Sequence, residues 1–410
     1  MRGTTEILLV FVGLYPVVTA AIWVAGGLLF RLGDESRLTL EGEAGWPGVT
    51  VLIPAFNESA VIATSVGAAL AADYPELEVL VLDDGSEDDT EAAAAAAVGD
   101  DPRCQVIRDP VNRGKAERLN AGFRLATHNL VVVTDADTHL HPLAIKYLVT
   151  RMHSSPLLAA VAGAPHVTNR TGLICAMQVL EAAAIIGLIR RTQAISGRVG
   201  TVAGVLGLFR RDRVLAAGGY DGRMATEDID LTWRLLLAGW HTSYEPRALV
   251  GMQVPKSLGA LWAQRKRWAR GQGEVLHVRA RELCAWRNRG VWLLGIESVA
   301  SLVWVIVIAV GTVLAAVTLL VVGSLSVVVL GLAWGIAIAV VAMLQLAVAL
   351  RLDYPYDRRN WRPFLIGPVY PLAYWLIAAT AALRSQTVAL VRGPRERRVV
   401  WDIPRERLVR

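Results

Sequence analysis

The sequence has few of the residues that stabilise small secreted or highly soluble proteins. It contains three cysteines in 410 residues, and charged residues make up 19% of it against a hydrophobic fraction of 54%. Three scattered cysteines exclude a disulfide framework and a CxxC metal site. The large hydrophobic fraction excludes a disordered chain. The fraction of charged residues is below the roughly 25% of soluble domains, which disfavours an ordinary soluble protein.

Several motifs of common enzymes are also missing. There is no Walker-type glycine-rich loop and no GxGxxG after the first predicted strand, which disfavours a nucleoside triphosphatase and a dinucleotide-dependent dehydrogenase. No Ser-His-Asp or Cys-His pattern is visible, and the histidines show no metal-ligand spacing. Any chemistry therefore has to come from other residue types.

The apolar excess is concentrated in uncharged runs, the first of which spans Ile7 to Phe30. Its 24 residues are long enough to cross about 30 Å of hydrocarbon. We expect an uncleaved transmembrane anchor over residues 1–31. The alternative is a cleaved signal peptide with Val18 and Ala20 at its cleavage site, but the run continues for ten residues past that point.

Three more apolar runs follow near the C-terminus, and a basic tail, 392–410, ends the chain. The runs are Leu293–Val322, Leu325–Leu350 and Phe364–Val391. They predict about three transmembrane or re-entrant helices within 293–391. Glu297 lies inside the first run, where it either has a function in a polar cavity or reaches the membrane surface.

The distribution of cations indicates the orientation. Residues 262–292 are rich in Arg and Lys, which predicts a multi-pass plasma-membrane protein whose globular block lies in the cytoplasm. The tail has seven arginines against three acids and also resembles a cytoplasmic segment. Three spans would place it outside, so either the last run is a re-entrant pair or the short tail departs from the rule.

The globular block alternates strand and helix patterns. Apolar strands are expected at 48–56, 77–86, 104–109 and 130–137, with helices at 58–72, 87–98 and 115–127 between them. This alternation predicts an α/β domain over residues 45–255, with a mainly parallel sheet covered on both faces. Ligands of such sheets bind beyond the carboxyl ends of the strands.

Acidic residues follow two of these strands. Asp83 and Asp84 end the second one, where they either cap the next helix or serve a ligand. Asp135 and Asp137 follow the run LVVVT, and strand alternation would place both carboxylates on one face. Two such carboxylates repel unless a cation such as Mg²⁺ or Mn²⁺ neutralises them.

Two further clusters carry chemistry-bearing residues. Glu227 and Asp228 open a predicted helix, where they either complement the helix dipole or include a general base. The run Gln264–Trp268 lies on a basic, amphipathic segment predicted at 256–292. Its cations can meet anionic lipid, and they can also neutralise a pyrophosphate beside a sugar stacked on the tryptophan.

The motifs together resemble those of the processive family 2 glycosyltransferases of GT-A fold, which include cellulose, chitin and hyaluronan synthases. They occur in the order PAFNE (54–58), LDDGS (82–86), DAD (135–137), TED (226–228) and QRKRW (264–268). The stretches between them look closest to the poly-β-1,6-N-acetylglucosamine synthase subfamily. The resemblance runs from about Gly48 to the end and is strongest over Ala182–Leu276.

This resemblance implies a set of donor-binding residues. Pro54, Glu58, Asp83 and Asp84 would line the uridine pocket, and Lys115 would approach the nucleotide.

It also implies roles for the later motifs. Asp135 would lie at the ribose or diphosphate and help Asp137 bind a divalent cation, Mg²⁺ or Mn²⁺. Asp228 would be the general base, with Glu227 beside it. The acceptor end and the diphosphate would be bound by Gln264, Arg267 and Trp268.

The function implied is inverting, processive transfer of N-acetylglucosamine from UDP-GlcNAc to a β-linked, β-1,6 exopolysaccharide, coupled to export. The expected partners are the growing polysaccharide, membrane lipid and a small membrane protein, with no nucleic acid. Alternatives are another β-glycan synthase, a non-processive polyprenyl-phosphate sugar transferase, and a transporter or scaffold. Two departures from the family pattern are an extra cation, Arg270, expected near the acceptor, and a single N-terminal span.

Overall fold

The chain forms an α/β domain with long helices before and after it. The computed structural model describes residues 2–37, 39–40, 45–323 and 326–396. Most of the predicted basic tail, residues 397–410, lies outside the described residues. The first helix, α1, spans Arg2–Phe30 and is followed by a π-helical turn, Arg31–Glu35.

The first half of the domain has the predicted alternation of strands and helices. Its elements are β1 (Val49–Ala55), α2 (Ile62–Leu70), β2 (Leu77–Asp83), α3 (Thr90–Val98), β3 (Cys104–Arg108), α4 (Lys115–Leu125) and β4 (Leu130–Thr134). The strands pair in parallel in the order β3-β2-β1-β4. The near-complete burial of β1, β2 and β4 explains their continuous apolar runs, because helices cover both faces of a parallel sheet. The edge strand β3 is partly exposed.

The second half departs from a parallel sheet. Its elements are β5 (His139–Leu140), α5 (Ala144–His153), β6 (Leu158–Val167), α6 (Leu173–Glu181), α7 (Leu188–Ile195), β7 (Leu206–Arg210), α8 (Arg211–Ala216), α9 (Glu227–Leu237) and β8 (His241–Met252). The described strands form one eight-stranded sheet in the order β3-β2-β1-β4-β7-β6-β8-β5. Strand β7 is antiparallel to both β4 and β6, and β5 is antiparallel to β8.

The prediction of a mainly parallel sheet is therefore correct for β1–β4, and the whole sheet is mixed. The cause lies in the connection from α7 to β7. Residue 198 of that connection forms a parallel bridge with Thr242 of β8. The chain thus runs along the sheet before it turns back, and β7 enters from the opposite end.

The C-terminal part is helical. Its helices are α10 (Leu258–Cys284), α11 (Trp292–Val322), α12 (Ser326–Asp353), α13 (Val369–Ala381) and α14 (Thr387–Arg392). The run predicted at Phe364–Val391 begins in a 3₁₀ turn, Arg358–Ile366, and continues through α13, a π turn and α14.

Within the described residues, four segments are long and apolar enough to cross a membrane, judged by length and composition. They are Val10–Glu35, Leu173–Ile195, Trp286–Val321 and Trp334–Asp353. The first, third and fourth overlap predicted spans. The second lies inside the predicted globular block, where its charged residues interrupt the uncharged run.

A buried group of charges joins the ends of these helices. The Arg191 guanidinium donates hydrogen bonds to Glu35 at 3.1 Å and to Asp353 at 2.6 Å. The Tyr356 hydroxyl donates to Glu35 as well. We call Glu35, Arg191, Asp353 and Tyr356 the helix-end ion cluster. It fastens α7 to the C-terminal ends of α1 and α12.

Two apolar layers, one on each face of the sheet, make up the core of the domain. Val51 and Ile53 of β1 pack into one layer, and Leu52 between them packs into the other with Phe123 and Phe209. This alternation follows from the two-residue period of a strand. It leaves the loops after β1, β2 and β4 together at one edge of the sheet.

Candidate active site

The loops after β1 and β2 are locked together by hydrogen bonds. The Asn57 amide N–H donates to Ser86 Oγ at 2.9 Å, and Asn57 Oδ1 accepts from the Glu87 N–H at 2.9 Å. Asn57 has a positive φ of 55°, which asparagine tolerates better than most residues. The lock brings the PAFNE and LDDGS motifs together, with Pro54 and Glu58 buried between them.

Asp83 lies fully buried at the end of β2. Its Oδ1 accepts a hydrogen bond from the Ser86 N–H at 3.1 Å. Its Oδ2 has no hydrogen-bond partner within the described chain and lies 3.6 Å from Arg108 Nε. A buried acceptor without a hydrogen bond is costly, so this oxygen is a candidate contact for a ligand donor.

Asp84 holds a loop. Its Oδ1 accepts from the Arg113 N–H at 3.0 Å and its Oδ2 from the Gly114 N–H at 2.7 Å. Burial raises the pKa of the Asp84 carboxyl, and these two hydrogen bonds oppose the rise. The loop it holds leads directly into Lys115. Neither Asp83 nor Asp84 caps α3, because Asp88 Oδ1 accepts from the Thr90 N–H at 3.0 Å.

Lys115 is the cation at the centre of the site and forms an ion pair with Asp135. Burial disfavours its charge, but the nearby carboxylates of Asp135, Glu227 and Asp228 outweigh that effect and raise the pKa of the ammonium group. The structure therefore brings together residues that are more than 110 positions apart in the sequence. We call Lys115, Asp135, Glu227 and Asp228 the donor-side cluster.

The DAD motif lies in a turn and not on a strand, because β4 ends at Thr134. The prediction that strand alternation places Asp135 and Asp137 on one face is therefore wrong in its reason. The Thr138 hydroxyl donates to the Asp135 carbonyl at 2.7 Å and lies 2.8 Å from the Thr134 hydroxyl. These contacts close the turn and fix both aspartates beyond the edge of the sheet.

Glu227 and Asp228 occupy the first turn of α9, as predicted. Burial, together with the charge of Asp228, raises the pKa of the Glu227 carboxyl, while Lys115 and Arg267 oppose the rise. Two adjacent carboxylates at a helix N-terminus beside two cations form a site that can accept a proton.

The QRKRW motif lies on α10. Arg267 is exposed and acts electrostatically on Glu227. Gln264 Oε1 is buried and has no hydrogen-bond partner in the part of the chain that the structure describes. Trp268 remains 38% exposed, and the Arg265 guanidinium lies 4.3 Å from its ring centroid. Because Arg265 also pairs with Glu181, the tryptophan is anchored to α6.

Helix α10 binds the loop before α9 through contacts that the motifs do not predict. The buried Glu274 carboxylate accepts from the Ala225 N–H at 2.7 Å. Arg270, the extra cation expected near the acceptor helix, lies on α10 and donates to the same carboxylate at 2.5 Å. Gly271 lies so close to Thr226 that a Cβ would meet its hydroxyl oxygen at 1.8 Å. A glycine inside a helix, unfavourable by about 1 kcal/mol, is the sequence signal for this contact.

A second overlooked residue is Gly204, in the connection before β7. A Cβ at this position would lie 2.8 Å from Lys115 Nζ and 3.6 Å from Asp135 Oδ1. The backbone therefore covers the ion pair closely, and a larger residue would push into the donor-side cluster.

The carboxylates present fit one kind of metal site. The described residues contain no group of three or more His, Cys, Asp or Glu that could hold a metal ion. Asp135 and Asp137 offer a hard, two-carboxylate set. Mg²⁺ binds in this way when one or two carboxylates are completed by substrate phosphates and water.

A solved structure resembles the fold over almost the whole chain. The mannosyltransferase of Pyrobaculum calidifontis, solved in complex with GDP-Man and Mn²⁺, has a TM-score of 0.63 and 20% identity. The match covers 92% of this chain and 98% of that one. It shows a GT-A-like fold.

Sequence comparisons identify the family. The family model described as glycosyltransferase like family 2 matches residues 47–271. The poly-β-1,6-N-acetyl-D-glucosamine synthase of Staphylococcus epidermidis is 31% identical over 395 residues, 93% of this chain and 94% of that protein. The enzyme of the same name from Staphylococcus aureus (strain COL) is 32% identical over 400 residues, with the same coverage. This chain therefore belongs to the family 2 glycosyltransferases and is a glycosyltransferase.

Proposed function

We propose that this chain is a membrane-bound synthase that polymerises N-acetylglucosamine from UDP-GlcNAc into a β-1,6-linked polysaccharide, with inversion at the anomeric carbon. The observation that carries the proposal is the donor-side cluster. It combines a half-buried cation, a carboxylate for the donor side and a carboxylate pair for the acceptor. The names of the Staphylococcus relatives support the choice of sugar and linkage.

The donor lies across the carboxyl edge of β1, β2 and β4. Pro54 and Glu58 line the uridine pocket, and Asp83 Oδ2 accepts a hydrogen bond from the uracil N–H. Asp84 acts there through the loop that it holds. Lys115 stabilises the negative charge that develops on the departing UDP, which is the kind of electrostatic stabilisation that most accelerates such a step.

The transfer is a single displacement. Asp228 removes the proton from an acceptor hydroxyl as its oxygen attacks the anomeric carbon. A new carbon–oxygen bond forms, the bond to the diphosphate breaks, and UDP leaves with the electron pair. Attack from the face opposite the diphosphate converts an α-linked donor into a β-linkage.

A divalent cation, Mg²⁺ or Mn²⁺, would be held by Asp137 and Asp135 and would neutralise charge on the diphosphate. Asp135 also keeps the Lys115 ammonium group in place. The cation would complete its coordination with substrate oxygens, in agreement with the two-carboxylate set.

The acceptor end lies against α10. Gln264 offers a buried amide oxygen to a sugar hydroxyl, Trp268 an exposed ring face, and Arg267 a charge near Glu227. The growing polysaccharide then leaves between the membrane-spanning helices, with the domain on the cytoplasmic side of the plasma membrane. A small membrane protein would complete the exit path, and anionic lipid would meet the basic face of α10.

The test supplies membranes containing the protein with UDP-GlcNAc, UDP-glucose or UDP-glucuronate in separate reactions. Membranes from the same host without the protein are the control. The product is then digested with linkage-specific hydrolases. We expect polymer from UDP-GlcNAc alone, cleaved by a β-1,6-specific enzyme. A polymer from another donor, or a product extracted entirely into organic solvent as a glycolipid, would contradict the proposal.

A further inference from the structure

Tyr220 carries a buried polar group that the mechanism above does not use. The residue is 4% exposed, and its hydroxyl oxygen is buried with no hydrogen-bond partner among the residues that the structure describes. A buried hydroxyl left in this state destabilises a fold. A tyrosine hydroxyl buried in this way therefore indicates a hydrogen-bond partner on a molecule that binds from outside the chain.

The surroundings hold Tyr220 in one place. The Asn120 side chain accepts from the Tyr220 N–H at 2.7 Å and donates to the Tyr220 carbonyl at 2.9 Å. The preceding Gly219 has a φ of 71°, a conformation that other residues adopt rarely. The ring lies against Phe123 and Phe209, with centroids 6.0 Å and 6.5 Å away. These contacts fix the backbone and the ring of Tyr220, and they therefore also fix the position of its hydroxyl.

Tyr220 packs in the same apolar layer as Ala116 of α4 and Leu231 of α9. Ala116 follows Lys115 directly, and Leu231 lies one helical turn after Glu227, so Tyr220 lies beside the donor-side cluster. Burial and the charges of Asp228, Glu227 and Asp135 raise the pKa of the phenol well above its usual range. It therefore keeps its proton and acts as a hydrogen-bond donor. The same three carboxylates raise the pKa of the Lys115 ammonium group, so the phenol and the ammonium group share one electrostatic environment.

We propose that Tyr220 is a substrate-contacting residue, whose hydroxyl donates a hydrogen bond to an oxygen of the sugar nucleotide bound at the donor-side cluster. A sugar nucleotide offers hydroxyl, carbonyl and phosphate oxygens at this location. This inference rests on the proposed function, because it assigns a further contact for the same donor.

The test compares two substitutions that each remove one phenolic oxygen. Tyr220→Phe removes the hydroxyl without a partner. Tyr74→Phe is the matched control, because the Tyr74 side chain is equally buried, at 5% exposed, and its hydroxyl donates to the Pro47 carbonyl at 2.6 Å. The measurements are the KM and kcat for UDP-GlcNAc, its binding by calorimetry, and the thermal unfolding midpoint.

For Tyr220→Phe we expect weaker binding of UDP-GlcNAc and a KM raised about tenfold, which corresponds to one lost hydrogen bond. The unfolding midpoint should stay the same or rise. Tyr74→Phe should show the opposite pattern, a lower midpoint with the KM unchanged. A wild-type KM and affinity in Tyr220→Phe would overturn the inference, as would a lower midpoint with unchanged affinity.

The two proposals fail in different ways. If the unsubstituted protein neither binds nor consumes UDP-GlcNAc, the proposed function fails and the inference falls with it. If that protein is active and Tyr220→Phe equals it, only the role of Tyr220 is wrong.

Discussion

The helix-end ion cluster and the donor-side cluster both concentrate charged side chains, but the charges of the first are buried and those of the second are half-buried. In the helix-end ion cluster, the carboxylates of Glu35 and Asp353 share the guanidinium of Arg191. In the donor-side cluster, the adjacent carboxylates of Glu227 and Asp228 repel each other, and burial adds to the strain on Glu227. In the first cluster each carboxylate pairs with a cation of the protein, whereas the second keeps two like charges side by side.

This contrast separates structural from functional polar groups in the chain. Buried charges that pair within the protein hold helices, and removing a partner should cost stability. Carboxylates that repel each other, and buried hydroxyl or carboxylate oxygens that lack a hydrogen bond, are unfavourable for the fold. Removing them should cost activity and leave stability intact. The predictions below test this separation, starting with the largest effect.

Arg191→Met should destabilise the protein by about 3–5 kcal/mol, because it leaves the buried Asp353 carboxylate without its cation and leaves Glu35 with Arg31 alone. The unfolding free energy or midpoint of the protein in detergent measures the loss. Arg103→Met is the control, since Arg103 pairs with Asp101 at the exposed surface and its loss should leave the midpoint unchanged. Equal stability of the two variants would mean that the helix-end ion cluster does not hold the helices.

Lys115→Met should lower transfer by about 10²–10³-fold, the usual effect of removing one group that stabilises developing charge. Sugar incorporation and UDP binding measure the effect. The control is Lys146→Met. The Lys146 ammonium group lies outside the site and pairs with the Asp73 carboxylate at 2.7 Å. Full activity of Lys115→Met would remove this lysine from the mechanism.

Two arginines three positions apart on α10 should behave in opposite ways. Arg270→Gln leaves the buried Glu274 without a cation and should cost about 1–3 kcal/mol of stability. Arg267→Gln should leave stability unchanged and weaken transfer, because Arg267 is exposed beside Glu227. Unfolding and incorporation assays on both variants give the comparison, and the same profile in both would contradict it.

The smallest effect concerns pH. Burial and the charge of Asp228 raise the pKa of Glu227, so Glu227 takes up a proton at a pH above the ordinary range of a glutamate, and the lost negative charge beside the base should lower transfer on the acid side. Glu227→Gln removes this titration and should move the acid limb of the profile down by about one unit or less.

Stability gives the independent check of this pH effect. The folded state binds the Glu227 proton more tightly than the unfolded state, so the unfolding free energy of the unsubstituted protein should fall, relative to Glu227→Gln, as the pH rises. A limb that does not move, with parallel stability curves, would show that the two carboxylates do not interact.

The parallel half of the fold could be predicted because three of its four strands, β1, β2 and β4, are buried on both faces and have continuous apolar sequences. The direction of β7 could not be predicted, since a short apolar run carries no information on direction. The segment Leu173–Ile195 was not recognised as apolar enough to span, because Glu181, Arg190 and Arg191 interrupt it. Their partners lie on other elements and are invisible in the local pattern.

The same distinction applies to the site. The motifs predicted which acids lie at the strand and helix ends, because those positions follow from local sequence. The two hydrogen bonds between Asn120 and Tyr220 join residues 100 positions apart, so no local sequence pattern predicts them. The Arg270–Glu274 pair was readable from its i, i+4 spacing on a helix. The glycines that allow close approach, Gly204 and Gly271, become meaningful only when their neighbours are known.

The most direct test of the account is Asp228→Asn, assayed together with Asp212→Asn, a substitution of an exposed aspartate on α8. Incorporation from UDP-GlcNAc and binding of UDP are measured on the same membrane preparations. The account predicts that Asp228→Asn lowers incorporation by about 10²–10⁴-fold, as expected for loss of a general base, while UDP binding and the Asp212→Asn variant remain normal. Normal turnover by Asp228→Asn would contradict it.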